Sequence, residues 1–318
     1  MALHRNALPQ SGGRLFLTDG GIETTLIFNE GFELPDFAAF LLLEKEEGQA
    51  ALRNYFRSYA DIAKRFGVNL ILESATWRAS ADWGTKLGYT RKALTDANRK
   101  AIHLLEEIRD EYESDEIKVV ISGCVGPRGD GYIPTQTMSE EEADTYHREQ
   151  VETFAETAAD MVCAITMNYA EEAIGITRAA QRAGMPVAIS FTVETDGRLP
   201  TGQTLKAAIE RVDEATLRHP CYYMINCAHP THFDKVLFRD EPFTKRIQGL
   251  RANASHKSHA ELDETPGLDS GNPKELGLQY ANLKRRLPQL NVMGGCCGTD
   301  HRHIERIAEA CLPLFQTR

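Results

Sequence analysis

The 318-residue sequence predicts an α/β fold of the (β/α)8 TIM-barrel class, as a single domain over residues 1–318. Three observations carry that expectation. The length suits one barrel, which runs to about 250 residues before insertions. Eight short apolar runs alternate with longer segments of helical periodicity, and eight parallel strands close a sheet on itself. Residues able to do chemistry fall just after the apolar runs, where the loops of a barrel assemble its site. An open doubly wound sheet competes for the same alternation, but the strand count disfavours it.

The first apolar run is Leu15–Asp19, ending at Gly20 and Gly21, a tight turn with exposed backbone N–H groups. Leu52, Tyr55, Phe56, Tyr59, Ile62, Ala63 and Phe66 recur at helical spacing, and Gly67 stops the helix. Val68–Leu72 is nearly all apolar, as a strand buried on both faces should be. A second helix carries Ala97, Ala101, Leu104, Leu105, Ile108 and Tyr112 on one face. It leads to the strand Ile117–Ser122 and a glycine-rich turn over 123–131. Ser139 and Glu142 have the spacing of a capping box, ahead of a helix with Tyr146, Val151, Phe154, Ala155 and Ala158. Met161–Ala164 is the fourth strand, and the next helix closes at Gly184 before the strand Pro186–Val193. A helix with Leu205, Ala208, Ile209, Val212 and Ala215 precedes the strand Tyr222–Asn226. Arg246–Leu250 and Leu290–Met293 complete the eight, with helices over Pro273–Leu287 and His301–Leu314. The polar stretch Arg251–Pro273, broken by Pro266, Gly267 and Gly271, is expected to be a loop over the barrel mouth.

A hydrophobic content of 42% with 26% charged residues is that of a globular chain and not of a disordered one. The net charge of −10 argues against nucleic acid, which calls for clustered Lys and Arg. The run Phe37–Leu43 is cut by Glu44, far short of the roughly 20 residues that span a bilayer, so no membrane partner is expected. The first ten residues hold no apolar stretch of signal-peptide length. Seven cysteines, an odd number without secretory features, suit the reducing cytoplasm better than a disulfide framework. A homo-oligomer is compatible with all of this.

The densest chemistry lies in Asn291–Asp300, where an apolar run stops at Gly294 and Gly295 and presents Cys296 and Cys297. Adjacent cysteines cannot pair without strain: a relaxed disulfide places its Cα atoms about 4.4–6.8 Å apart, and neighbours sit at about 3.8 Å. A shared metal is the better reading. Cys227, at the end of another apolar run, is the best-placed third thiol, and three thiolates with one open position describe a zinc site that accepts a substrate sulfur. The competing reading is that cysteines are small apolar fillers, and Cys124, Cys163, Cys221 and Cys311 are assigned to it. His256 with His259, and His301 with His303, have metal-like spacings but no partner ligand, and read as solvated loop or helix-end residues. The 123–131 glycines lack the Lys-Ser/Thr pair of a phosphate loop. Trp77, Trp83 and Tyr132 are packing residues first and faces for a cationic ligand second.

With these residues located, the chain resembles the homocysteine S-methyltransferase family, the zinc-dependent barrels that include the betaine and S-methylmethionine enzymes. The resemblance runs from about Leu15 to Cys311. It rests on Asp19-Gly20-Gly21, on Ser190-Phe191-Thr192 followed by Asp196-Gly197-Arg198-Leu199, on Asn226-Cys227, and on the stretch Gly294–Thr299. It implies that Cys227, Cys296 and Cys297 bind Zn2+, and that Asp19, Gly20 and Gly21 hold the amino-acid end of homocysteine. Thr76 and Asn226 are further substrate-site candidates. Three departures stand out. Ile165 replaces the glutamate that meets the substrate ammonium in the family, Ala75-Thr76-Trp77 replaces an Asn-Thr-Tyr, and Glu23 takes a glycine's place. A charged hydrogen bond is worth about 1.5–3 kcal/mol, roughly 10- to 150-fold in affinity, so the change at Ile165 bears directly on homocysteine binding. Glu23 is a candidate replacement from another direction.

The expected function is zinc-dependent methyl transfer from a small cationic sulfonium or betaine-type donor to a thiol acceptor, with methionine from homocysteine as the leading case. The donor's positive charge already activates it, so the protein's work is orientation and exclusion of water, and no general base is required. The alternatives are methylation of a different thiol or selenol, and a non-catalytic zinc- or thiol-binding relative that has lost the ammonium site.

Overall fold

The computed structural model describes residues 1–135, 137–237, 241–264 and 267–315. Its eight strands are β1 (Phe16–Leu17), β2 (Asn69–Glu73), β3 (Val119–Val125), β4 (Met161–Met167), β5 (Val187–Phe191), β6 (Tyr222–Asn226), β7 (Ile247–Ala252) and β8 (Val292–Gly295). All pair in parallel and in sequence order, and β1 pairs with both β2 and β8, so the sheet is a closed barrel. Closure brings β6 and β8 to within one strand of each other, across β7. No helix among the described residues is long and apolar enough to cross a membrane.

Long helices follow every strand but β6: Glu46–Phe66, Arg91–Tyr112, Glu140–Ala155, Ala170–Ala183, Leu205–Ala215, Pro273–Arg286 and His301–Cys311. Their stops and starts are local chemistry. Gly67 and Gly184 end helices in the left-handed conformation and return N–H bonds to the last turn. Ser139 and Glu142 form the expected capping box, and Asp300 caps the last helix through the N–H of Arg302. After β6 the described residues make only the short helix Pro230–Phe233 and two 3-10 segments, Asp234–Val236 and Pro242–Arg246.

Two apolar clusters build the core. The larger lies between sheet and helices, and the smaller fills the barrel with Phe16, Ile71, Val120, Met161, Cys163, Ala188, Tyr222, Met224 and Val292. Leu8 joins the inner cluster, and Gln10 donates to Met161 Sδ at 3.2 Å, so the N-terminal segment plugs the end of the barrel remote from the strand C-termini.

Several strand boundaries differ from expectation, and three of these bear on the mouth of the barrel. β3 runs on to Val125 and takes Gly123 and Cys124 into the sheet, because a side chain at Gly123 would lie 2.5 Å from the ring of Phe154. β4 runs to Met167 through a register shift between Ala164 and Met167, with Thr166 at φ +62°. β7 reaches Ala252, so Arg251 is a buried strand residue and not the start of a loop. The remainder of the expected mouth loop contains a short helix, His259–Asp263; Pro266 lies outside the described residues.

Candidate metal centre

Cys227 follows the last residue of β6, and Cys296 and Cys297 follow β8. Their three sulfurs lie within 4.8 Å of one another at the mouth of the barrel. Cys227 Sγ is 3.9 Å from Cys297 Sγ, close to the roughly 3.8 Å between two thiolates bound tetrahedrally at 2.3 Å from zinc. The donor set therefore fits the ion. Cys227 and Cys296 form a disulfide with Cα atoms 5.3 Å apart, which departs from the expectation of free thiols throughout. A disulfide is the two-electron-oxidised form of a converging thiol pair, so the metal-holding form is the reduced one.

The backbone aims these sulfurs. Cys227 has φ +52°, a left-handed conformation that costs a residue with a side chain about 1–3 kcal/mol unless its surroundings hold it. They do so at the carbonyl, which accepts from Thr192 Oγ1 and from Nε2–H of His259. His259 Nδ1 faces Glu194 at 3.1 Å, and its ring packs on Tyr132 at 4.2 Å. The reading of His259 as a solvated loop residue is thus corrected: the short helix after β7 carries it inward. His303 is corrected likewise, being fully buried against Asp300 and the Ser270 carbonyl. At the other loop, a side chain on Gly21 would meet the Cys296 carbonyl at 2.5 Å, and one on Gly20 the Thr299 carbonyl at 2.8 Å. Those glycines let the first loop close against the vicinal pair.

Below the sulfurs lies a buried charged layer that sequence reasoning missed. Arg251 donates to Asp19 at 2.7 Å and stands 3.6 Å from Glu73, while Tyr55 donates to the other Asp19 oxygen at 2.9 Å. Burial pushes the Glu73 carboxyl up to about 7 even though Arg251 opposes the shift. Burial raises Asp19 too, against the pull of Arg251. Burial works against the charge on Arg251, but Asp19 and Glu73 outweigh it and hold the guanidinium ionised. Both Asp19 oxygens are therefore engaged by protein. Glu23 is different: burial pushes it up to about 7, and it makes no ion pair among the described residues.

Thr76 and Asn226, the other substrate-site candidates, direct their polar atoms to protein. Thr76 Oγ1 donates to the Cys124 carbonyl at 2.7 Å. Asn226 clasps the irregular turn of β4 through both its amide atoms, to Thr166 N and Thr166 Oγ1, and accepts from Ser190 Oγ at 2.6 Å. That turn sets Ile165, half-buried, on the cluster that fills the barrel. The faces of Trp77 and Trp83 are covered by the chain's own Arg78, each at 3.8 Å, and the Tyr132 hydroxyl reaches Cys227 Sγ at 3.2 Å. Cys124, Cys163 and Cys311 are buried as expected of fillers, whereas Cys221 is exposed.

Comparison with known proteins agrees with this geometry. The homocysteine S-methyltransferase family model matches residues 16–311. Methionine synthase of Mycobacterium tuberculosis is 27% identical over 272 residues, covering 81% of this chain and 21% of that protein. Betaine–homocysteine S-methyltransferase 1 of Rattus norvegicus is 24% identical over 84% of this chain and 65% of its own length. The chain thus spans about a fifth and about two thirds of these two relatives. Homocysteine S-methyltransferase YbgG of Bacillus subtilis is 24% identical over 92% of this chain and 93% of its own. Among solved structures, the homocysteine methyltransferase MmuM of Escherichia coli shares the fold. Its oxidised form gives a TM-score of 0.74 at 20% identity, covering 96% of this chain and 98% of that one, and its metallated form 0.70 at 18% identity, covering 93% and 96%. With the family matched across nearly the whole barrel, this chain belongs to the homocysteine S-methyltransferase family.

Proposed function

We propose that this chain moves a methyl group from a cationic sulfonium or quaternary-ammonium donor to the sulfur of homocysteine, giving methionine, at a zinc site made by Cys227, Cys296 and Cys297. The observation that carries the reading is the meeting of three sulfurs from distant parts of the chain at the barrel mouth. Homocysteine is named in two of the relatives above, and betaine as donor in one of them. The barrel would act as one self-contained domain, in the cytoplasm, where the thiols stay reduced.

Zinc, when bound, supplies a Lewis acid that keeps the acceptor sulfur as a thiolate at neutral pH, where a free thiol of pKa about 8.5 is mostly protonated. The chain's residues do the rest. Three cysteine thiolates leave one position open to the incoming sulfur. A new S–CH3 bond forms as the C–S+ or C–N+ bond of the donor breaks, and the bonding pair stays with the departing donor, which leaves neutral. The acceptor's proton has gone to solvent beforehand. Glu23, the acidic side chain near the site without an ion pair, faces the substrate ammonium in place of the residue lost at Ile165. Asp19, Arg251 and Tyr55 form the floor, fixed by their own bonds. Asn226 holds the β4 turn, and Tyr132 packs over Cys227 and excludes water.

One observation favours a second reading, a different thiol or selenol as acceptor: the apolar Ile165 at the mouth. Incubation of the reduced, zinc-loaded protein with homocysteine and either S-methylmethionine or betaine tests both. Methionine is the expected product, and Cys297→Ser is expected to lose bound zinc and turnover together. Full zinc occupancy in that variant removes Cys297 from the ligand set. Zinc-dependent thiol binding without turnover identifies a non-catalytic relative.

A further inference from the structure

Arg78 is the second charged group at the mouth without an ion pair among the described residues. It is only 5% exposed, and its guanidinium lies between the rings of Trp77 and Trp83, 3.8 Å from each centroid. The sandwich is itself held: Trp83 Nε1 donates to the Pro127 carbonyl at 3.3 Å, and a side chain on Gly126 would meet the Trp77 carbonyl at 2.2 Å. With both faces covered, only the edge of the guanidinium can bind. Nη1 donates to the Gly129 carbonyl at 3.0 Å, whereas Nε is buried without an acceptor and Nη2 makes no hydrogen bond to the described residues. Of the acids that act on it, Glu23 is not ion-paired with it, and the other two are committed elsewhere. Asp36 pairs with Lys86 at 2.6 Å, and Asp130 accepts from the N–H groups of Tyr132 and Ile133.

A buried guanidinium held flat with donors unspent is a carboxylate fork without its carboxylate. The Gly129 carbonyl that Arg78 holds is in the same loop as Tyr132, whose hydroxyl touches Cys227 Sγ, and Arg78 acts electrostatically on Tyr132 and Glu23, so the guanidinium is near both the carboxyl and the sulfurs. One unpaired cation and one unpaired anion beside a thiol-binding centre are complementary to an α-amino acid, whose carboxylate and ammonium carry the opposite signs.

We propose that Arg78, clamped between Trp77 and Trp83, is the residue that selects a carboxylate-bearing substrate at this site. The inference rests on the methyl-transfer reading. Two sources offer the same group, the acceptor and the donor, since homocysteine, S-methylmethionine and betaine all carry one.

The test uses the zinc-loaded, reduced protein and its Arg78→Met and Arg78→Lys variants. KM for homocysteine at saturating donor, and KM for donor at saturating homocysteine, are compared with those for the corresponding carboxamides. Wild type is expected to prefer the acid over the amide of one partner. Arg78→Met should raise that partner's KM by about 10- to 100-fold and erase the preference, with kcat and the other KM within a few-fold. Arg78→Lys should keep part of it. The partner whose preference collapses is the one that Arg78 reads. Equal treatment of acid and amide by wild type, or an undiminished preference in Arg78→Met, overturns the proposal. If Arg78→Met does not fold, the wild-type ratio and Arg78→Lys decide. If wild type makes no methylated product, the function reading fails. Calorimetric binding of homocysteine and its amide then still decides: acid-selective binding lost in the variants supports Arg78, and non-selective or absent binding overturns it.

Discussion

Buried charge at the barrel mouth is where single residues matter most. Glu73 is almost wholly enclosed and shares Arg251 with Asp19, so one cation serves two carboxyls. Its folded pKa of about 7 lies above the ordinary value of 4.5. A carboxyl raised in this way binds more protons folded than unfolded between those values. Stability therefore falls as pH rises through about 4.5 to 7, and the full cost is felt above. Removing that ionisable group should flatten the slope. Thermal unfolding of metal-free, reduced wild type and Glu73→Gln between pH 5 and 8 is expected to show wild type losing stability relative to the variant as pH rises. Parallel curves would mean that Glu73 titrates normally. None of this was legible in the sequence, where Arg251 reads as the first residue of a polar loop and Glu73 merely follows the apolar run Val68–Leu72. The pair Asp19 and Arg251 is separated by 232 positions, and no local pattern reports such a partner.

At the level of elements, the loop after β3 shows how a glycine in a turn makes room for a neighbouring segment. Gly126 gives the Trp77 backbone and ring room to lie against it, whereas Gly129 has nothing within 4 Å of an added Cβ. Gly126→Ala should therefore lower the midpoint of thermal unfolding by several degrees, from an overpacking cost of about 1–3 kcal/mol, and Gly129→Ala should not. Equal midpoints would show that the Trp77 segment yields freely. The element pattern itself was readable: apolar runs, helix-stopping glycines at Gly67 and Gly184 and the Ser139 capping box all follow from local chemistry. The ends of β3, β4 and β7 were not, because strand length at the mouth depends on what neighbouring strands offer. Asn226 in β6, for instance, holds the β4 turn around Ile165, and a sequence shows neither strand's register.

For the molecule as a whole, ring closure puts the candidate metal site where a bound ion would act as a cross-brace. The sulfurs follow β6 and β8, with β7 between them, so an ion bound by all three ties one side of the mouth together. A ligand that binds only the native state stabilises it by mass action, by about 4 kcal/mol at a thousand times Kd. Chelation under reducing conditions should lower the unfolding midpoint, re-addition of zinc should restore it, and Cys297→Ser should not respond. A midpoint indifferent to zinc in wild type would remove the brace.

The order of strands, the barrel and the three converging cysteines were all determined by sequence alone, because periodicity, turn glycines and a vicinal thiol pair are written in neighbouring residues. Tertiary structure alone decided that Asp19 is committed to Arg251, that His259 buttresses Cys227, and that the tryptophans each turn a face to Arg78. The reason is physical: inside a closed ring a charge answers to whatever the ring brings near it, and those neighbours are set by register and closure across the whole chain.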